Sequence, residues 1–484
     1  MRSSDRYGLL YQDLYSAKAQ GLQIHSLLIL IIVFAIFLVN LLIAYPGVVN
    51  YDSREQYVQA VTGHFFDWHP PIMAWVWSIL RLVADGSGPL FAVHVVCYWL
   101  GFGLIALTLS QMRRNKTAWA VVAAGVFPPF LLMNAAIVKD VSMAVAFISA
   151  FSVCFFYRTR GLKIPFTTLI IAMGLITYGA LVRTNGIFAA VPLFVYLVYP
   201  ALFFWRPIYF IVVSLALIAI WIPAANLFNH RVLRAWPSYT IHSLKWFDLA
   251  GIAYFSADES VFGADRSPTA EWVRECYTPV AWDPLYNREI CHHELVDYWP
   301  QTRTWISAII THPLAYAEHR LAHFNSELFF IVPRNHTDQR VLLKQHLDGS
   351  GHRLPPEPVT WDTITSYLLS NLSVFGFMIG VVILGLCYRS SRPRPSELDD
   401  AIGCIAISGV MYTLAYLIVG VATDARYQYW SLIAIFIASI IFLSKREGGS
   451  LSRPEWACVG VLAITLIAVV VVHAALGDAL AQIG

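Results

Sequence analysis

Long apolar segments recur along almost the whole chain, and short polar stretches separate them. An α-helix needs roughly 17–25 apolar residues to cross the hydrocarbon core of a bilayer. The pattern therefore predicts an all-α polytopic membrane protein with about eleven spanning helices. The predicted spans are 24–45, 88–110, 117–137, 141–157, 164–181, 187–205, 207–226, 364–388, 401–421, 428–444 and 455–476.

The segment 68–84 is apolar but short. It opens with His69, Pro70 and Pro71, and it contains Arg81. If it spanned the membrane, every later loop would change sides. We therefore predict a juxtamembrane helix that lies along the membrane surface.

Positive charge sets the orientation, because Lys and Arg accumulate in short cytoplasmic loops. With the N-terminus inside and the C-terminus outside, the basic clusters fall on the cytoplasmic side. They are Arg2, Arg6, Lys18, Arg113, Arg114, Lys116, Arg158, Arg160, Lys163, Arg206, Arg389, Arg392, Arg394, Lys445, Arg446 and Arg453. The short outer turns then carry isolated bases at Lys139, Arg183 and Arg426.

This topology divides the chain into three parts. Residues 1–226 form an N-terminal transmembrane module with a polar first outer loop, 46–87. Residues 227–363 form a large extracytoplasmic loop domain, and 364–484 form the C-terminal transmembrane helices. Cys276 and Cys291 lie in the loop domain. We predict a disulfide between them, because thiols outside the cytoplasm commonly pair, with two free thiols as the alternative.

Composition strengthens the membrane prediction. The 484 residues are 58% apolar and 13% charged, with a mean hydropathy of +0.60. Soluble proteins average about 45–50% apolar and about 25% charged. The net charge of +3 adds little. The sequence shows neither a Rossmann-type Gly-rich loop nor a P-loop for a nucleotide sugar.

The first outer loop concentrates polar chemistry. Asp52 directly follows the first span, while Asp67 and His69 precede the Pro70-Pro71 start of the interfacial helix. Carboxylates at the mouth of a membrane cavity can deprotonate an acceptor hydroxyl or bind a metal. Asp52 alone fits a helix cap equally well, but the three residues together favour a functional site.

Other outer turns also carry charge. A Lys139-Asp140 pair between two apolar helices is costly unless it faces water or a partner, which favours a function for Asp140. Lys139 fits either a function or snorkelling to the interface. Arg183 and Arg426 suit phosphate binding, because the guanidinium donors match phosphate oxygens in pairs. Headgroup contacts and, for Tyr427, an interfacial aromatic belt are the alternatives.

The segment 312–324 has helical periodicity and predicts an amphipathic helix along the membrane surface. Solvation of His319, Arg320 and His323 is favoured there over substrate contact. The run 291–294, Cys-His-His-Glu, lacks the spacing that places two zinc ligands on one helix face.

In its polar positions the chain resembles the membrane glycosyltransferases of the GT-C superfamily. That superfamily includes bacterial polyprenyl-phosphate-sugar transferases and protein mannosyltransferases. The resemblance rests on Asp52, Asp67, Trp68, His69, Pro70, Pro71, Lys139, Asp140, Arg426 and Tyr427. It covers the first half of the spans best. His69 stands where many members have Lys, which leaves its contact with phosphate open.

The resemblance implies an inverting transferase on the outer face of the bacterial inner membrane, serving the cell envelope. It would move a sugar from a polyprenyl-phosphate donor to a glycan, lipid or protein acceptor, with no nucleic-acid partner. A divalent cation such as Mg or Mn is left open as a cofactor.

The resemblance also implies roles for individual residues. Asp52 would be the general base, and Asp140 would hold the acceptor or a metal. Arg183 and Arg426, with Lys139 or His69, would bind the lipid phosphate. Asp67 and Tyr427 complete the candidate substrate-binding set.

Two other functions remain open. A transporter or flippase of a lipid-linked saccharide would carry polar residues at mid-membrane in broken helices. Here the ionisable residues gather at the outer ends of the spans, which favours the transferase. A ligase of lipid-linked glycans needs the same groups and is not separated from it.

Overall fold

The computed structural model describes residues 3–200, 203, 206–263, 268–287, 291, 299–331, 361–390, 395–445 and 460. Side chains are described from residue 24 onward, except at positions 287, 361–368, 370, 371 and 390. Within these residues the protein is all-α, with 18 α-helices and no sheet. Three isolated β-bridges join loops.

The helices are named in chain order. They are α1 (Ser3–Ala44), α2 (Tyr51–Thr62), α3 (Ile72–Leu80), α4 (Gly88–Gln111), α5 (Asn115–Gly125), α6 (Pro128–Asn134), α7 (Lys139–Arg158), α8 (Phe166–Val182), α9 (Gly186–Val198), α10 (Pro207–Leu227), α11 (Ile241–Ser256), α12 (Ala270–Cys276), α13 (Asp283–Asn287), α14 (Thr302–Thr311), α15 (Pro313–Glu327), α16 (Trp361–Ser390), α17 (Glu397–Val419) and α18 (Tyr429–Ser444). Short 3-10 turns occur at Glu259–Phe262 and Ala425–Gln428, and a π turn extends α10 over Phe228–Val232.

Seven stretches within these helices are long and apolar enough to cross a membrane. They are Ile24–Ala44, Gly88–Gln111, Lys139–Arg158, Pro207–Val232, Leu372–Arg389, Glu397–Val419 and Ala425–Ser444. The pair α5 and α6 makes an eighth span if it is counted as one. The described part of the chain is therefore a multi-pass membrane protein.

The remaining predicted spans have different outcomes. The segments 164–181 and 187–205 correspond to α8 and α9, which are apolar but only 17 and 13 residues long. The segment 455–476 lies outside the described residues, apart from position 460. Helix α3 has 9 residues, which is too short to span a bilayer.

The predicted span 117–137 is broken rather than straight. Helices α5 and α6 meet at 51° across a break of a few residues. Pro128 and Pro129 open α6. Proline lacks the amide proton and disfavours a helical conformation in the preceding residue, so a helix ends before it.

Small residues let the core helices approach closely. A Cβ on Gly101 of α4 would meet Ile148 of α7 at 2.8 Å. A Cβ on Gly409 of α17 would meet Ala434 of α18 at 3.2 Å. Small residues at such crossings are typical of membrane helix packing.

The helices alternate in direction, which sorts their connections into two ends. The starts of α2 and α7 lie at one end, which we call the site end. There Val48 N, after α1, donates to the Ala135 carbonyl at 2.8 Å. At the other end, called the opposite end, Arg158 Nη2 of α7 donates to the Leu197 carbonyl of α9 at 2.7 Å, and Lys445 Nζ pairs with Asp399 at 2.5 Å.

Helices α11 to α15 build a separate apolar core beyond the spans, centred on residues such as Phe247 and Trp272. The predicted cysteine pair lies in it. Cys276 and Cys291 form a disulfide with a Cα–Cα distance of 5.8 Å. The bond closes a loop across a sequence separation of 15 residues.

The expectation of solvated bases on 312–324 is wrong. Helix α15 forms there, but His319, Arg320 and His323 are buried. Asp248 of α11 explains this, because it pairs with Arg320 and lies 3.1 Å from His319 Nε2. Periodicity within one helix could not reveal a buried carboxylate on another.

Candidate functional site

Asp52 lies in the first turn of α2, where the chain leaves α1. Asn50 caps this helix by accepting a hydrogen bond from the Ser53 amide at 3.0 Å. The Asp52 carboxylate accepts from Arg426 Nη2 at 2.6 Å. The first outer loop is thus joined to the turn between α17 and α18.

The charge around Asp52 determines its protonation. Burial alone would raise the pKa of this carboxyl, but the charges of Arg426 and Lys139 outweigh burial. The pKa of Asp52 therefore lies well below its usual range. Asp52 is ionised at neutral pH and able to accept a proton.

His69 and Lys139 meet beside this carboxylate. Lys139 Nζ lies 2.6 Å from His69 Nδ1, and burial together with the Lys139 charge lowers the pKa of His69 to about 3. The ring is therefore neutral. With an ammonium at Lys139, Nδ1 accepts and Nε2 carries the ring proton.

The Nε2 edge of His69 faces two carboxylates. It lies 3.9 Å from Asp52 Oδ1 and 3.7 Å from Glu55 Oε2, which is beyond hydrogen-bond length. Burial and the negative charge of Asp52 raise the pKa of Glu55. Sequence reasoning missed Glu55, although it lies three residues after Asp52 and therefore on the same face of α2.

Asp140 is the buried centre of the site. It lies in the first turn of α7, where the helix dipole favours a carboxylate. Arg183 Nη1 approaches Oδ1 at 2.6 Å, and Arg426 Nε approaches Oδ2 at 3.8 Å. Neither contact has hydrogen-bond geometry, so these buried polar atoms lack a hydrogen bond within the described chain. Of these atoms, Arg183 Nη1 and Arg426 Nε are donors that could serve an anion.

Tyrosines hold Arg183 in place. Arg183 Nη2 donates to the Tyr416 hydroxyl at 2.7 Å, and its guanidinium carbon lies 4.3 Å from the centre of the Tyr427 ring. Tyr416 and Tyr427 stack with ring centres 5.5 Å apart. Cation–π contact stabilises a buried guanidinium without neutralising it. The face of the Tyr427 ring therefore stabilises the positive charge of Arg183.

Arg426 is positioned by its own turn. Asp424 caps the 3-10 helix Ala425–Gln428 by accepting from the Arg426 amide at 3.2 Å. The second Asp424 oxygen lies 3.2 Å from Arg426 Nε. Sequence reasoning did not select Asp424. An Asp two residues before a selected Arg, at a helix start, is the signal that could have found it.

Asp67 lies apart from this cluster. Its Oδ1 accepts from the Ser238 amide, and its Oδ2 lies 3.3 Å from His230 Nε2. Its own amide donates to the Trp236 carbonyl at 3.1 Å. In this arrangement Asp67 fastens the first outer loop to the segment that follows α10.

The structure thus brings together seven of the sequence-selected residues from four segments. They are Asp52, His69, Lys139, Asp140, Arg183, Arg426 and Tyr427. The cluster combines cations suited to an anion with an ionised carboxylate, Asp52, whose lowered pKa makes it a weak proton acceptor as long as Arg426 is paired with it. In the part of the chain that is described, no three His, Cys, Asp or Glu side chains are grouped to hold a metal ion.

Comparisons with protein-family models, with curated proteins and with solved structures return no match. The fold therefore defines the class: a polytopic, all-helical membrane protein with seven or eight candidate spans among its described residues.

Proposed function

We propose that the protein is an inverting glycosyltransferase of GT-C type. It transfers a sugar from a polyprenyl-phosphate donor to an acceptor on the extracytoplasmic face of a bacterial inner membrane. This proposal includes the eleven-span topology, with a juxtamembrane α3 and a large extracytoplasmic loop domain.

The observation that carries the proposal is the pair of buried arginines around Asp140, next to Asp52. Burying two guanidiniums is expensive. Asp140, Asp52 and Asp424 lie against them, but Arg183 Nη1 and Arg426 Nε still have no hydrogen bond in the described chain. A phosphate group matches such donors in charge and geometry. A membrane protein that binds phosphate at the end of its spans suits a lipid-phosphate substrate.

The proposed reaction is a single displacement. Asp52 accepts the proton of the acceptor hydroxyl as its oxygen attacks the anomeric carbon. The bond from that carbon to the phosphate oxygen breaks with inversion, and the electron pair stays on the departing lipid phosphate. Arg183 and Arg426 stabilise the growing negative charge, which lowers the barrier.

The proposal also explains the Arg426–Asp52 pair. Arg426 holds Asp52 in the absence of substrate, and an incoming phosphate would compete for the same guanidinium. Release from Arg426 raises the basicity of the carboxylate. Donor binding would therefore activate the base.

The charge distribution supports the proposed orientation. Bases near the opposite end include Arg113, Arg114, Lys116, Arg158, Arg160, Lys163, Arg206, Arg389 and Lys445. Because such clusters favour the cytoplasm, the site end is assigned to the exterior. Polyprenyl-linked sugars are met there at the bilayer surface, where the spans can hold the tail.

The test compares the intact protein with Asp52→Asn in nanodiscs, supplied with polyprenyl-phosphate sugars extracted from native membranes. We expect the variant to lose roughly a hundredfold or more of the transfer rate, the usual contribution of a general base. Asp85→Asn is the matched control, because Asp85 is an exposed carboxylate of the same outer loop. Equal activity of Asp52→Asn and the parent would overturn the base assignment.

Two further outcomes separate the alternatives. If no donor is consumed but lipid-linked saccharide crosses the bilayer, the protein is a flippase. If whole glycans rather than single sugars are transferred, it is a ligase.

A further inference from the structure

A row of tryptophans leads away from the candidate site. Trp68, directly before His69, lies with its ring centre 5.7 Å from that of Trp282. Trp282 stacks on Trp246 at 6.3 Å, and Trp246 lies 5.7 Å from Trp299. We call these four residues the tryptophan row. It joins the first outer loop to the loop domain.

The row has open ends and a buried middle. Trp68 and Trp299 are 41% and 55% exposed, whereas Trp282 and Trp246 are each 7% exposed. Tyr286 lies 5.7 Å from Trp282 and is 48% exposed. Burial of the two central rings fixes the open rings in place.

Large aromatic rings are costly to expose beside a charged site, and a group of them marks a binding surface. The face of an aromatic ring is negatively polarised. One face of a sugar ring presents C–H bonds, which are positively polarised, while its hydroxyls point outward. A saccharide therefore fits open aromatic faces flanked by polar groups.

We propose that the tryptophan row binds a saccharide, and that the acceptor is therefore a glycan rather than a protein or a simple lipid. This inference rests on the proposed transferase function and specifies its acceptor. An acceptor that reaches from the open Trp299 ring to the open Trp68 ring would end at the residue directly before His69, whose Nε2 lies 3.9 Å from Asp52 Oδ1.

Two observations favour a saccharide over membrane contact. The four tryptophans lie outside the candidate spans. Trp68 precedes α3, and the other three belong to the loop domain. A membrane belt places separate rings around the perimeter of the spans at headgroup depth. Here the rings contact each other, and Trp299 also meets the imidazole of His242 edge-on at 4.8 Å.

Hydrogen bonds also connect the tryptophan row to the candidate site. Trp282 N donates to the Val421 carbonyl at 2.8 Å, on the strand-like segment that leads to Asp424 and Arg426. At its other end, Trp68 is held between Asp67, which is bound to Ser238, and His69. A saccharide on the row would thus be fixed relative to the reacting groups.

The experiment measures binding of the labelled protein, in nanodiscs, to a printed array of oligosaccharides. We expect the parent to bind a subset, and Trp299→Ala to bind that subset at least tenfold more weakly, about 1.4 kcal/mol. Trp299→Phe should recover most of the loss, because it keeps an aromatic face. Trp236→Ala is the matched control, an exposed tryptophan outside the row.

Array binding needs neither a donor nor transfer, so it is measured independently of the reaction. This separates the two proposals: loss of transfer tests the chemistry, and array binding tests the row. The row proposal is overturned if the parent binds no saccharide or if Trp299→Ala binds equally well. It is also overturned if Trp299→Ala weakens only association with empty anionic vesicles, which would make the row a membrane contact.

Discussion

Replacing Arg426 with glutamine removes the positive charge that lies 2.6 Å from the Asp52 carboxylate. The change removes the main opposing charge from Asp52, so its pKa must rise. Two unit charges with centres about 4 Å apart interact by about 4 kcal/mol at an effective dielectric constant of ~20. At about 1.4 kcal/mol per pH unit, the pKa can move by at most roughly three pH units. Lys139 remains nearby and still stabilises the carboxylate, so we expect the pKa of Asp52 to rise by roughly one to three pH units.

The sign of the effect can be read from the rate of transfer against pH. In the parent, Asp52 has a lowered pKa, so it stays ionised until the pH falls below the usual carboxyl range. In Arg426→Gln the acid side of the profile should move to higher pH. The maximal rate should also fall roughly a hundredfold to a thousandfold, because a donor to the departing phosphate is lost.

The control for this experiment is Arg81→Gln. Arg81 pairs with Asp85 at 2.8 Å in the same outer loop, but Asp85 is largely exposed. Such a pair contributes little, so the pH profile should not change. An acid limb at the same pH in Arg426→Gln and the parent would refute the assignment of Asp52 as a base controlled by Arg426.

Two stability predictions follow from contacts away from the pH experiment. Asp140→Asn and Arg183→Gln should each destabilise the protein by about 3–5 kcal/mol, because each leaves a buried charge without its partner. The double variant should lose clearly less than the two effects added, and denaturant unfolding in detergent that shows simple additivity would argue against the pair. Cys276→Ser should cost about 3 kcal/mol, as expected for a closed loop of about 15 residues. The measurement is the melting temperature with and without reductant, and a parent insensitive to reductant would contradict this.

The alternation of spans explains how much of the site could be predicted. Once the apolar segments and the basic loops fix helix directions, the outer ends must share one side of the bilayer. Asp52, Lys139, Arg183 and Arg426 are each at such an end, so their convergence follows from topology. The described helices do place them together, with Lys139 and Asp140 at the start of α7.

Which side chains contact each other within the site could not be predicted, because this depends on side-chain geometry between distant segments. Asp67 and His69 are two residues apart, yet His69 turns to Lys139 while Asp67 turns to Ser238. The amphipathic pattern of α15 gave no sign that Asp248 would bury its bases. Helix α9 ends at Val198, short of the predicted 205, although the apolar run continues.

The buried bases of α15 connect the loop domain to the reacting end of the spans. Arg320 is held by Asp248 and donates through Nη1 to the Gly420 carbonyl at 2.7 Å. Just after that glycine, Thr423 N donates to the Val280 carbonyl at 2.9 Å. Asp424 and Arg426 follow within three residues, so the segment that carries the proposed phosphate-binding arginine is fixed from the loop domain. Because the same domain carries most of the tryptophan row, Arg426 and the proposed acceptor surface are both tied to the loop domain by hydrogen bonds.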